Sequence, residues 1–407
     1  MRRFAIIAVA VFSLVAPAQA EFIAKHGKGW LEKQQGLLIL HVEGTPREMG
    51  MQQGTLLKPH IKALIKGLES EAAALAKEMG AADVGPLLDM LWSQLAAHTP
   101  TEYIEEAAWL AKGADVSVTD LHRMFAAVEG GEIMRTCSSF CAWGKATVGG
   151  KMFQIRNLDY TIDAGLQDHA ILVVAKPEGK FKFVAPSYAG FVGVVSGMNE
   201  KGIALGEIGA GAGAAERNFN GIPMPFLLRR ILETCDSAEK AAQMVQSSPR
   251  TAGFNFVFGD PDHQTGRATE SSSKYFAAYR DNDPEEAKAA GNHVMENVII
   301  RADGVADAKR IAEAKHETVG QDDRYQKMAS MIRAEYGTID AAKAREISRA
   351  VAMTGSLHCV VYNNTDREIY VANAVGLTRA CETLYLHFKL PQLFAAQPPA
   401  GQAEEGK

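Results

Sequence analysis

The chain has 407 residues, 47% of them apolar and 22% charged, enough to bury one large core or two ordinary ones. Its 43 Lys and Arg against 48 Asp and Glu give a formal charge of −5 with no block of like charge, which argues against a dedicated nucleic-acid binder. Disordered, collagenous and coiled-coil classes are excluded by composition, and small disulfide-stapled scaffolds by length.

Residues 1–20 read as a secretory signal: Arg2 and Arg3, an apolar run from Phe4 to Val15, then Ala18-Gln19-Ala20 before Glu21. The run falls short of the roughly 20 apolar residues of a spanning helix, and no later segment supplies them. The expectation is a signal peptide cleaved after Ala20, a periplasmic or secreted product and no stable membrane span. Residues 45–130 carry helical periodicity, with a capping-box pattern at Ser117-Val118-Thr119-Asp120. From Cys137 the texture changes to short strand-like runs near 140–143, 152–157, 170–175, 181–184, 191–195 and 203–207. Helices are expected near 225–233 and 237–246, strands at 254–259, 267–270 and 275–279, a helical stretch over 305–347, and last strands at 358–362 and 369–372. This order suggests an α+β chain of sheets packed on each other with helices outside. The tail 397–407, with Pro398 and Pro399 and no aromatic, is expected to be disordered.

All five cysteines, Cys137, Cys141, Cys235, Cys359 and Cys381, follow the signal, so at least one is unpaired within the chain. There is no Cys-x-x-Cys, and Cys137 and Cys141 have no paired histidines downstream at zinc-like spacing, so no metal is expected.

The change from helical to strand texture falls at Met134-Arg135-Thr136-Cys137-Ser138-Ser139-Phe140, and Arg156-Asn157-Leu158-Asp159 begins nineteen residues after the cysteine. A thiol at the head of a strand, with Arg and Asp on the next, suits a self-processing cysteine. Its sulfur attacks the preceding carbonyl, hydrolysis of the thioester frees an α-amine on the same residue, and that amine, with a reference pKa near 7.7–8, serves as the base. Asp159 would orient the amine and Arg156 would hold a thiolate or a substrate carbonyl.

Five ordered blocks carry a resemblance to a known family. They are Gly44-Thr45-Pro46-Arg47-Glu48-Met49-Gly50 with Gln53-Gly54; Cys137-Ser138-Ser139-Phe140; Arg156-Asn157-Leu158-Asp159-Tyr160; Gly197-Met198-Asn199-Glu200-Lys201-Gly202; and Ser356-Leu357-His358-Cys359-Val360-Val361. The chain resembles the N-terminal-nucleophile (Ntn) cysteine hydrolases of the acyl-coenzyme A:6-aminopenicillanate acyltransferase type, with choloylglycine hydrolases and penicillin V acylases as relatives. The resemblance implies a four-layer αββα sandwich of two antiparallel sheets behind a helical N-terminal segment. It also implies cleavage at Thr136–Cys137 into a mainly helical chain 21–136 and a catalytic part 137–396 that stay associated, and it implies no cofactor. Cys137 is then the nucleophile, and Arg156 and Asp159 match the family's Arg and Asp. Asn297 in Val294-Met295-Glu296-Asn297 is the leading match for the oxyanion-binding asparagine and Asn255 its competitor. Arg324 is a candidate second arginine. Where relatives carry an asparagine after the Gly-Met-Asn-Glu-Lys-Gly turn, this chain has Gly206-Glu207, and Glu207 is assigned to substrate binding with Trp143, Tyr160 and Phe191; Phe254 is a further lining candidate.

Other features have plainer readings. Cys141 is packing, His358 a core histidine with satisfied nitrogens, the glycines of 197–202 a hairpin turn, and Gly209-Ala210-Gly211-Ala212-Gly213 a mobile loop. The functional expectation is an exported amidohydrolase or acyltransferase acting on a linear N-acyl amide through an acyl-thioester on Cys137, with a small-molecule N-acyl or lipid-like substrate and no nucleic acid. Alternatives are a lipid-directed hydrolase, phospholipase B-like or ceramidase-like, on the same fold, and an unprocessed, non-catalytic periplasmic binding protein.

Overall fold

Helical periodicity over 45–130 leaves the preceding residues unassigned, and they form three strands: β1 (Glu21–His26), β2 (Gly29–Gln34) and β3 (Leu37–Gly44). Gln35 and Gly36 join the last two with φ of 48° and 92°, the double positive value a two-residue hairpin turn needs. The computed structural model describes residues 20–78, 80, 83–131, 136–160, 162, 165–210, 216–288, 293–302 and 323–400. The expected signal through residue 19, the glycine loop from Gly211, most of the early part of the expected 305–347 helical stretch and the tail from 401 lie outside these residues.

Five helices follow: α1 (Pro46–Leu56), α2 (Lys58–Glu78), α3 (Gly85–Ala96), α4 (Thr101–Ala114) and α5 (Val118–Gly131). The first sequence block is explained by α1. Thr45 caps it, Glu48 completes a reciprocal capping box, and Pro46 opens the first turn. A Cβ on Gly50 or Gly54 would collide with the Glu106 and Leu110 carbonyls of α4, so these glycines let two helix backbones touch.

The rest of the chain supplies β4 (Thr136–Gly144), β5 (Gly150–Asp159), β6 (Ala170–Pro177), β7 (Phe183–Tyr188), β8 (Ser196–Asn199), β9 (Ala204–Gly209), α6 (Met224–Thr234) and α7 (Ala238–Ser247). It continues with β10 (Phe254–Asp260), β11 (Thr265–Ser271), β12 (Phe276–Tyr279), α8 (Pro284–Ala287) and β13 (Val298–Ala302). Last come α9 (Asp323–Ala334), α10 (Ala341–Val351), β14 (Ser356–Asn363), β15 (Glu368–Asn373), β16 (Leu386–Lys389) and α11 (Leu390–Ala395).

A ten-stranded sheet runs β1-β2-β3-β6-β7-β8-β9-β10-β11-β12 and a six-stranded sheet β13-β4-β5-β14-β15-β16. Ile39, Leu172, Val184 and Met198 of the first meet Val360, Tyr362, Ile369 and Val371 of the second in one sealed layer. Phe140, Ile155 and Val361 pack outward on Met328, Ile332, Ala344 and Ile347 of α9 and α10. Helices α6 and α7 and the N-terminal helices cover the larger sheet. The result is the expected four-layer αββα sandwich, with one departure: β3 pairs with β6 in parallel, so the larger sheet is mixed. The strand expected at 191–195 is also absent. Val194 N donates to Pro225 O (3.0 Å) and Val192 O accepts from Arg229 Nη1 (2.8 Å), so helix α6 takes the backbone groups a strand would need.

Asn199 explains the Gly197–Gly202 block. Its Oδ1 accepts from Lys201 N and Ile203 N, both 3.1 Å, and its Nδ2 donates to Leu232 O (3.0 Å) and Cys235 O (2.8 Å), pinning the hairpin turn to the end of α6.

A buried ion cluster joins the part of the chain before residue 137 to the part after it. Arg229 on α6 makes a bidentate pair with Glu106 on α4 (2.8 and 2.6 Å) and donates Nε to Glu233 (2.9 Å), whose other oxygen accepts from Tyr103 (2.8 Å). Removing one partner of a buried pair leaves the other charge uncompensated. Arg229→Ala is therefore expected to lower the free energy of unfolding by about 3–5 kcal/mol in a urea titration.

Candidate active site

β4 and β5 are antiparallel neighbours at the centre of the smaller sheet, with Thr136 opposite Asp159 and Cys137 opposite Leu158. Strand alternation sends their side chains to two different faces. Asn157 points to the helices, where its Nδ2 donates to Ser138 Oγ (3.1 Å) and to Ser348 O (2.9 Å) of α10. Cys137, Ser139 and Cys141 point into the space between the sheets.

Two glycines of the larger sheet fix what they face. A Cβ on Gly206 would strike Ser139, and one on Gly259 would strike Cys141 Sγ. Gly206 on β9 is the register partner of Val257 on β10, so β4 lies across both strands. Asn255 lies two residues before Val257 on β10 and so shares its face of the larger sheet. Asn255 is fully buried, and neither its Oδ1 nor its Nδ2 has a partner among the described residues.

Arg156, also fully buried, crosses the gap left by Gly206. It hydrogen-bonds the Cys137 thiol, pairs with Glu207 Oε2 (2.8 Å) and donates to Asn157 O. Burial alone would lower its pKa, but the Cys137 sulfur and the Glu207 carboxylate outweigh this and hold it above its ordinary value. Asp159 sits one register step from Cys137. Its Oδ2 pairs with Arg324 Nη2 of α9 (2.5 Å), and its Oδ1 accepts from Met353 N (3.2 Å). Burial pushes its carboxyl above the usual range while Arg324 pulls it back.

Cys137, Arg156, Asp159 and Arg324 thus come together, with Glu207 as the counter-ion of Arg156. Asn297 does not join them. It lies beside the far end of β4, roughly 20 Å along the strand from Cys137. There its φ is 59°, its Oδ1 accepts from Lys145 N (3.0 Å) and its carbonyl accepts from Trp143 N (3.0 Å). It caps a turn there. Trp143 is buried against Gly266 at that same distant end. Phe191 packs on Phe125, and Phe254 stacks on Phe256.

An apolar cavity of about 840 Å³ lies among the helices, between α2, α3 and α5, lined by Leu68, Leu88, Leu91, Met124, Phe219 and Tyr160, with Arg123 and Arg217 also on its walls. Tyr160 directly follows Asp159. Met90 and Leu87 remain 55% and 49% exposed where the cleft opens, a surplus of apolar residues on α3 that was readable in the sequence as an over-wide stripe.

A layered αββα sandwich with this cluster on its central strands defines an Ntn-hydrolase-type fold, the class that includes amidohydrolases and acyltransferases. Residues 146–374 match the family described as acyl-coenzyme A:6-aminopenicillanic acid acyl-transferase, and the chain belongs to that family. Protein dcd1B of Dictyostelium discoideum is 25% identical over 421 residues, covering 93% of this chain and 80% of that one. Among solved structures, a Caenorhabditis elegans N-acylethanolamine-hydrolyzing acid amidase ortholog superposes with a TM-score of 0.42 at 15% identity, covering 56% of this chain and 93% of its own. Penicillin V acylase from Agrobacterium tumefaciens does so at 0.41 and 12%, covering 58% and 83%.

His358 faces the same inter-sheet space. Its ring nitrogens meet Tyr188 Oη (3.1 Å) and Ser196 Oγ (2.7 Å), and burial, reinforced by Arg156, holds it neutral well below its ordinary 6.5. A depressed histidine contributes stability above its unfolded pKa that is lost as the pH falls below that value. The urea midpoint is therefore expected to drop between about pH 7.5 and 5 more steeply in the wild type than in His358→Gln.

Proposed function

We propose that the protein is an exported, self-processing cysteine amidohydrolase that cleaves a linear amide between an acyl chain and an amine through an acyl-thioester on Cys137. One observation carries the reading: a buried thiol hydrogen-bonded to the buried Arg156, with a buried asparagine amide on the larger sheet, that of Asn255, which has no partner among the described residues. An orphaned buried amide costs about 1–3 kcal/mol. That cost is offset when a developing oxyanion accepts its N–H, which is when catalysis needs it.

In the first step Cys137 Sγ attacks the Thr136 carbonyl, and the peptide nitrogen leaves as the α-amine of Cys137. Water hydrolyses the thioester and gives Thr136 a free carboxylate. The new amine emerges beside Asp159, the cross-strand partner of Thr136, and Arg324 and Met353 N–H keep that carboxyl in place. In turnover the amine takes the thiol proton, sulfur adds to the substrate carbonyl, and Asn255 Nδ2–H stabilises the oxyanion. The amine of the substrate leaves with that proton, and water, activated by the same base, releases the acid. Arg156, locked by Glu207, favours the thiolate by charge.

The apolar cleft supports a long or bulky acyl group, with the exposed Leu87 and Met90 at its mouth. The same cleft favours, as second reading, hydrolysis of a lipid ester by the same nucleophile; the leaving group alone differs. Export rests on the Arg2 to Ala20 pattern. The Arg229–Glu106 pair supports lasting association of the two chains.

N-terminal sequencing of active protein is expected to give Glu21 and Cys137, and Cys137→Ala to give one chain with no turnover; an active protein with residue 137 still amide-linked would overturn the mechanism. Asn255→Ala is expected to cut kcat about 10²–10³-fold, whereas Asn297→Ala stays within about twofold, as judged by steady-state kinetics on an N-acyl amide.

A further inference from the structure

Two of the other cysteines meet on the opposite face of the smaller sheet. Cys359 on β14 has Asn157 of β5 and Ala372 of β15 as cross-strand neighbours, and its Sγ lies 3.2 Å from Ser356 Oγ. Cys381 lies in a single 3-10 turn, Ala380–Glu382, that folds back over β14. The two cysteines pack in one small buried cluster with Ala372 and Ala380. Both flanks of the turn are fixed. Thr383 Oγ1 donates to Asn373 O (2.8 Å), and Arg379 Nη1 donates to Ala352 O (3.2 Å).

We propose that Cys359 and Cys381 are a disulfide site, and that the bond clamps the Ala380–Glu382 turn onto the strand behind Asp159. Its chemistry is thiol–disulfide exchange with a small-molecule or protein disulfide of an oxidising compartment. The Cys381 thiolate attacks one sulfur of the donor and expels the first donor thiolate. Cys359, losing its proton, then attacks Cys381 Sγ and expels the second. Two cysteine thiols are oxidised, and one donor disulfide is reduced to two thiols. The order follows from the surroundings: the hydrogen bond from Cys359, with Arg379 near, holds the Cys381 thiol below its ordinary value, whereas burial pushes the Cys359 thiol well above.

The clamp bears on the catalytic side through one short path. Arg379 holds the Ala352 carbonyl, the next residue Met353 gives its N–H to Asp159, and Gly355 O accepts from Tyr160 N (2.9 Å). The inference does not depend on the proposed reaction, and its readouts do not use turnover.

The full-length protein is equilibrated with oxidised or with reduced glutathione, alkylated under denaturing conditions, digested without reduction and mapped by mass. The expected result is a peptide pair joining Cys359 to Cys381 in the oxidised arm alone. Oxidised wild type is also expected to melt about 5 °C above reduced, a difference that Cys381→Ser abolishes. Complete alkylation of both cysteines in the oxidised arm, or linkage of Cys359 to another cysteine, overturns the site. Linked peptides without a shift in melting overturn the clamp.

Discussion

The burial of one positive charge organises the centre of this molecule. Arg156 lies fully buried between the two sheets, where an unpaired guanidinium is prohibitive. Glu207 answers it from the larger sheet and Cys137 from its own, so three residues from three strands are fixed by one electrostatic requirement. The glycine at 206 is part of the same solution, since any side chain there would hold the sheets apart. A thiol brought against that charge is a better nucleophile than its burial alone would allow.

A second arginine does comparable work on the outer face. Arg324 reaches from α9 across the sheet edge to Asp159 and also donates to Val351 O (2.9 Å), so helix, strand end and carboxylate are tied together. Asp159 is thereby kept immobile beside the Thr136–Cys137 bond without pointing into the inter-sheet layer. The division is clean: the Cys137 sulfur belongs to the inner face of β4 and β5, and the Asp159 carboxyl to the outer.

Much of this was legible in the chain. The texture change at Cys137, the Arg156 to Asp159 spacing and the helical run before them define local properties, and local properties survive folding. Asn297 and Asn255 show where such reading ends. Both sit at strand starts near apolar runs, and what separates them is which strand faces β4 across the gap, a matter of register and sheet order that no local pattern encodes. The same limit applies to Trp143, at the distant end of β4, and to Phe191, packed on Phe125: an aromatic is apolar wherever it points. The 191–195 segment looked like a strand because it is apolar and β-branched, yet α6 supplies its hydrogen-bond partners. The glycine-rich blocks were informative for a different reason than chemistry. Gly50 and Gly54 let helices touch, and Asn199 with Gly202 shapes a turn.

The parallel pairing of β3 with β6 has a consequence in time. Leu38 meets Ile171 only after more than a hundred intervening residues have been made, among them five helices and strands β4 and β5. Until then the apolar run 37–40 presents an open backbone edge on one side, held only by β2 on the other. Such a late, non-local closure makes for slow maturation and a window of self-association during synthesis. Helices α1 and α4 pack through contacts far closer in sequence than the β3–β6 pairing, so their docking does not have to wait for β6.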